Sequence, residues 1–359
     1  MAETRTGWIE SRNYDLWLLA LPPLLGLLIC GFTPFVDSIL ISGFSLFFLG
    51  MPHYLSTYSF YFDDKNIAYA RTRQIAFFFG PVLIVLALTA SFVLKLYLLV
   101  ALVVDAWNVF HVSRQSVGIL SIYRHLNGGD NQREKVAANV ALICLAGGMY
   151  SVTISKQPSF VHYFAYLPFP VAPYLGPVLL TVGVVALGVL LTRMMRRGSK
   201  FRSPEMIFLG TSVLLYAPYV ILTSRSTATS AMLAGHYLQY MGILWLLNHR
   251  KYSRQQGSHA QRALAYVSQS IPRILILLLA LVATTSVTDR FVHHIHAMGF
   301  HNWILNVVVL LHFYLDGIFW AFKHRHTRDS IGPYLLLPDH RIASVPAAAI
   351  AGARPGYVA

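Results

Sequence analysis

Residues 306–322 read NVVVLLHFYLDGIFWAF, an apolar run of the length that crosses a bilayer, interrupted by His312 and, one helical turn later, by Asp316. Ionisable groups in hydrocarbon are costly unless they face protein and find partners there. A His and an Asp at this depth therefore mark a candidate functional site.

Outward from this stretch the chain stays apolar. Over 359 residues the hydrophobic fraction is 56%, the charged fraction 12% and the mean hydropathy +0.55, which excludes an ordinary soluble domain. Apolar windows of about 20 residues recur roughly at 16–36, 38–62, 75–94, 95–120, 136–155, 172–195, 205–223, 228–248, 270–289 and 302–322. The expected fold class is all-α: a polytopic transmembrane helix bundle of about ten spans. Residues 1–342 form one transmembrane domain. Residues 343–359, rich in Ala, Gly and Pro, are expected to be a disordered cytoplasmic tail. The N-terminus has no short apolar core followed by a cleavage site, so the first span is expected to direct insertion.

Charge gives the orientation. If the N-terminal segment and the segments after even-numbered spans face the cytoplasm, 23 Lys and Arg lie on that side. Only Lys95, Lys156, Arg225 and Arg290 lie on the other, with Arg114 inside a span. This asymmetry places both termini in the cytoplasm. The formal charge of +14 is spread between spans and is not gathered in one domain or tail, so it reads as topology and not as a nucleic-acid surface. Cys30 and Cys144 fall in apolar runs without CxxC or Cys/His zinc spacing and carry no visible chemistry.

The fifteen histidines separate by position. His125, His249, His259, His324, His326 and His340 lie in basic loops or at helix ends, where solvated or headgroup-facing imidazole is the plain reading, and His162 lies in an outer loop. His53, His111, His236 and His312 lie inside even-numbered spans, which all run in the same direction. The first cytoplasmic Lys or Arg follows them after 12, 13, 14 and 11 residues respectively. At about 1.5 Å per residue the four imidazoles share one depth, roughly 16–21 Å from the basic fringe. A relay would stagger its groups across the membrane. Equal depth favours a metal ion, which satisfies several imidazoles at once.

Each helix also places polar groups one turn from its histidine. Asn108 and Gln115 flank His111, Gln239 and Tyr240 follow His236, Asp316 follows His312, and Ser56 and Thr57 follow His53. These suit groups that orient the imidazoles, or in the case of Asp316 a direct ligand. Ser56 and Thr57 also have the option, open to any helical hydroxyl, of bonding back to a carbonyl of their own helix. Asp105 and Arg114 are read as members of ion pairs. A second cluster, His293, His294, His296 and His301, falls in the outer loop before the last span and is read as a headgroup or adventitious metal site. Four neutral imidazoles with a carboxylate suit Fe(II), with Zn or Cu also compatible. Their placement in hydrocarbon points to membrane lipid or another lipophilic small molecule as substrate.

The ordered set Gly50-Met51-Pro52-His53, then His111, then His236 with Tyr240 four residues on, then His312 with Asp316, resembles the Brp/Blh family of bacterial membrane β-carotene 15,15'-dioxygenases. The likeness is confined to these motifs in four spans. Tyr240 stands where the family's HxxxH pair has its second His, and Leu311 where a Pro would precede the last one. The resemblance implies that His53, His111, His236 and His312 hold Fe(II) as metal ligands, with O2 as co-substrate. Tyr240 and Gln239, with Asp316, would orient substrate or oxygen, and Asn108, Gln115 and Thr57 would support the ligands. It also implies a bacterial inner-membrane location. Three other classes stay open: an electron-transfer protein with haem or quinone, a transporter or proton relay using His312, Asp316 and Arg114, and a hydrolase using zinc-bound water.

Overall fold

The computed structural model describes residues 7–58, 63–129, 131–157, 171–198, 203–252, 259–270 and 298–336, with isolated positions between 271 and 297. All regular structure among them is helical. Ile75–Val93, Gln132–Ile154, Tyr174–Arg196 and Pro204–Ile221 are long and apolar enough to cross a membrane. The pair Arg12–Ala20 and Pro23–Phe32, bent by 52°, makes a fifth if it counts as one span. This is a helical membrane protein.

The remaining windows take other forms among the described residues. Window 95–120 largely coincides with the first part of the helix Tyr97–Leu126, of 30 residues, and window 228–248 falls within Arg225–Tyr252, of 28 residues. Both have the length, but polar side chains dilute their apolar character, including Asp105, Asn108, Arg114 and Gln115 in one and Gln239 and Asn248 in the other. Window 38–62 is not one α-helix. Ser38–Phe44 gives way to a π-helical stretch, Ser45–Gly50, before Met51–Thr57. The last window appears as a shorter apolar stretch, Trp303–Phe319, inside the helix Met298–Phe319. Window 270–289 and the tail 343–359 lie outside the described residues, apart from isolated positions in the former.

The chain divides into two compact units, one of Met1–Gly50 with Asp105–Gly242, the other of Met51–Val104 with Ile243–Ala359.

In the first unit, the Arg225–Tyr252 helix presents a buried face of Ala228, Ala231, Met232, Ala234, His236, Tyr237, Gln239 and Tyr240. Gly235 lets this helix lie against the backbone of the N-terminal segment: a Cβ there would sit 2.6 Å from the Pro22 carbonyl oxygen. Tyr14 Oη donates to the Gly242 carbonyl at 2.7 Å, and Gln239 Nε2 to that of Leu19 at 2.7 Å. The Val171–Arg196 helix packs on Gln132–Ile154 and turns Val178, Val182, Val185 and Val189 outward, an exposed apolar stripe that suits lipid. At the basic ends, Arg124 donates to Glu134 at 3.1 Å and Arg197 to both Glu205 oxygens at 2.8 and 2.9 Å.

In the second unit, Met51–Thr57 packs against Met298–Phe319. The Ile75–Val93 region packs there too, with Phe77 5.5 Å from Phe319 and Trp303 Nε1 donating to Thr89 Oγ1 at 3.2 Å.

Candidate metal centre

The second unit holds His53 and His312. Pro52 has no N–H to close an α-helical bond, and the wider π-helical turn ends just before it, so this stretch re-aims its side chains immediately ahead of His53. His53 and His312 are both fully buried, their ring centroids 4.5 Å apart and inclined by 65°. A nitrogen of one lies within 4.8 Å of a nitrogen of the other. The Tyr54 ring, 5.2 Å from His312, and that of Phe313, 5.7 Å away, wall the pair.

Asp316 lies one turn beyond His312, and its Oδ2 is 3.8 Å from His312 Nε2. Thr57 does not bond back to its own helix. Its hydroxyl is 2.7 Å from His312 Nδ1 and 2.9 Å from Asp316 Oδ1. The neighbouring Ser56 makes the local bond, donating to the His53 carbonyl at 2.6 Å. Two adjacent hydroxyls on one short helix thus take opposite options, because only Thr57 faces the Met298–Phe319 helix.

The first unit holds His111 and His236. Their rings meet edge to face, centroids 5.6 Å apart and planes at 87°, both nearly inaccessible. Asn108 is buried and Gln115 half-buried on the helix of His111. Tyr240 is buried one turn from His236. Gln239, expected near substrate, has its amide engaged by the Leu19 carbonyl, so it ties the helix to the N-terminal segment. Gly50 supports the same region: a Cβ there would lie 3.0 Å from the Tyr237 ring, next to His236.

The ion-pair reading of Asp105 is matched by Arg225, with Tyr150 Oη donating to the same carboxylate at 3.1 Å. Arg114 is exposed and donates to Asn139 Oδ1. His293, His294 and His296 lie outside the described residues, as does the side chain of His301.

Sequence reasoning missed one cluster, at the basic end of the second unit. Asp63 and Lys251 form an ion pair at 2.5 Å, each side chain 4% exposed. Tyr252 Oη donates to Asp63 at 2.8 Å, and the backbone N–H of Lys65 does the same at 2.8 Å. His326 stacks on Tyr69 at 4.0 Å with its Nε2 2.8 Å from Asn66 Oδ1. Burial works to raise the Asp63 carboxyl, but the Lys251 ammonium and the hydrogen bonds from Lys251, Tyr252 and the Lys65 N–H together outweigh it and hold the group below the usual carboxylate range. Burial, with Lys251 nearby, holds the His326 imidazole below its usual value. His326 is thus half-buried and engaged, in contrast to the solvated reading. Residues remote in sequence meet here without a local motif, and the acidic residue directly before a helix start was the one available signal.

Comparison with protein-family models, with curated proteins and with solved structures finds no match.

Proposed function

We propose that this chain is an integral membrane oxygenase that holds non-haem Fe(II) and uses O2 to oxidise a lipophilic substrate such as a carotenoid or a lipid. The observation that carries this reading is the pairing of the four deep histidines, two in each unit, with every imidazole withdrawn from solvent. Buried imidazole must be satisfied, and a metal ion satisfies several with one centre. The equal depth counted along the sequence supports His53, His111, His236 and His312 as ligands of one ion.

The donors fit a divalent first-row metal. Neutral nitrogens suit Fe(II), Zn(II) or Cu, and the carboxylate of Asp316 adds negative charge close by. Bound there, Fe(II) would supply the binding and activation of O2. The protein's own contribution is to hold the donors, to exclude water with Tyr54, Phe313 and Tyr237, and to orient substrate with Tyr240. A haem clamped between two axial imidazoles is less compatible with these pairs. Ring centroids on opposite sides of one iron stand about 6 Å apart or more, given metal–nitrogen bonds of about 2 Å, with the porphyrin between. The pairs here are at 4.5 and 5.6 Å and lie edge to face. A relay through Arg114 is disfavoured by that residue's exposure and its bond to Asn139.

The finer topology belongs to the same proposal: about ten spans, both termini cytoplasmic, in a bacterial inner membrane. Elemental analysis of detergent-purified protein tests the core of it. The expected result is about one iron per chain, and a wild type with no bound metal after reconstitution sinks the reading. Expression in carotenoid-producing cells then tests the substrate class, with loss of colour expected for a polyene and unchanged colour directing attention to other lipids.

A further inference from the structure

Thr57 occupies a position that neither histidine by itself requires. Its side chain is fully buried, and it reaches across to the Met298–Phe319 helix, 255 residues away in sequence, to touch His312 Nδ1 and Asp316 Oδ1 together. A hydroxyl has one proton to give and lone pairs to receive with. A carboxylate only accepts, so the Thr57 proton goes to Asp316, at 2.9 Å. The Thr57 oxygen is then left to accept at 2.7 Å, and what it accepts is the His312 Nδ1–H. A neutral imidazole protonated on Nδ1 carries its lone pair on Nε2. Asp316 Oδ2, at 3.8 Å from that nitrogen, is beyond hydrogen-bond range and does not claim it.

We propose that Thr57, held by Asp316, locks His312 in the Nδ1–H tautomer and presents Nε2 as the metal donor, so that Asp316 acts through Thr57 and is not itself a ligand. The role given to Nε2 rests on the metal-binding reading above, whereas the tautomer does not. The arrangement places a carboxylate behind a ligand histidine with a hydroxyl interposed, and the negative charge passed along that chain of hydrogen bonds makes Nε2 a stronger donor. Threonine suits the post because its branched Cβ restricts χ1 and keeps the hydroxyl aimed between its two partners.

The test uses the full-length protein, metal-stripped, with 15N in its histidine rings. The His312 signals are identified by subtracting the spectrum of His312→Gln. Wild type and Thr57→Ser should show Nδ1 protonated and Nε2 bare, and Thr57→Val should relax to a mixture of tautomers. A wild-type His312 protonated on Nε2 overturns the proposal whatever the metal does. Fe(II) titration supplies the second readout. Thr57→Val should bind about 10- to 100-fold more weakly, the range for losing a partner of a ligand histidine, with Thr57→Ser close to wild type. Asp316→Asn should weaken binding no more than Thr57→Val. An Asp316→Asn protein that loses Fe(II) as completely as His312→Gln makes Asp316 a ligand and overturns its assigned place. A wild type that takes up no Fe(II), Zn(II) or Cu sinks the metal reading and with it the role of Nε2, while the spectrum still decides the tautomer.

Discussion

In the second unit His312 is wired through the Thr57 hydroxyl to a carboxylate, whereas in the first unit His111 and His236 meet edge to face, with the amides of Asn108 and Gln115 on the helix of one and Tyr240 on the helix of the other. Both pairs are buried. The difference lies in what backs the imidazole. A carboxylate behind a histidine raises its basicity and fixes its tautomer, and a neutral amide does so more weakly. What stands beside each imidazole is set by helices that meet far from each other in sequence.

The largest effect expected is on metal content. His312→Ala should reduce bound iron from about one per chain to less than about a tenth, and His236→Ala should do the same if both pairs serve one ion. Iron content that survives His236→Ala but not His312→Ala would break the equivalence and leave the second unit as the sole centre.

Next comes the stability of each unit. Asp63→Asn strands the buried Lys251 ammonium and should cost about 3–5 kcal/mol, read as a lowered unfolding temperature in detergent. Adding Lys251→Met should recover part of that loss. A neutral single variant would show that the pair contributes nothing to the second unit. On the side of the first unit, Gly235→Ala drives a methyl into the Pro22 carbonyl and should cost about 1–3 kcal/mol, measured in the same way.

The smallest effect is on pH dependence. Asp63 is held below its unfolded value, so its contribution is fully present above the ordinary carboxylate range and is lost as pH falls through the lower, folded value. His326 is also held below its ordinary value. The unfolded chain therefore takes up its proton first on acidification, and stability declines as pH drops below about 6.5. Thermal unfolding followed from pH 8 to pH 4 should show this decline, flattened in Asp63→Asn combined with His326→Gln. An unchanged slope in that double variant removes the cluster as the cause.

Membrane residence and helical class were legible because they rest on composition and window length, properties each segment carries by itself. The windows at 75–94 and 172–195 correspond closely to long apolar helices, Ile75–Val93 and Tyr174–Arg196. The window at 38–62 does not, because the π-helical turn at Ser45–Gly50 leaves no mark on average hydropathy. Candidate ligands were legible as well, since a histidine in an apolar run is conspicuous wherever the chain goes. The roles of their neighbours were not. Ser56 and Thr57 are indistinguishable as sequence, and one serves its own helix while the other serves His312.

The sequence by itself determined that the chain is a helical membrane protein and that four histidines fall inside apolar runs, because hydrophobic run length is a local quantity. Only the tertiary structure decided which imidazoles pair, that Gln239 secures the N-terminal segment, that Lys251 finds Asp63, and that a threonine stands between His312 and its carboxylate. Those outcomes depend on the azimuth of one helix against another, and azimuth is set by packing between segments that are far apart along the chain.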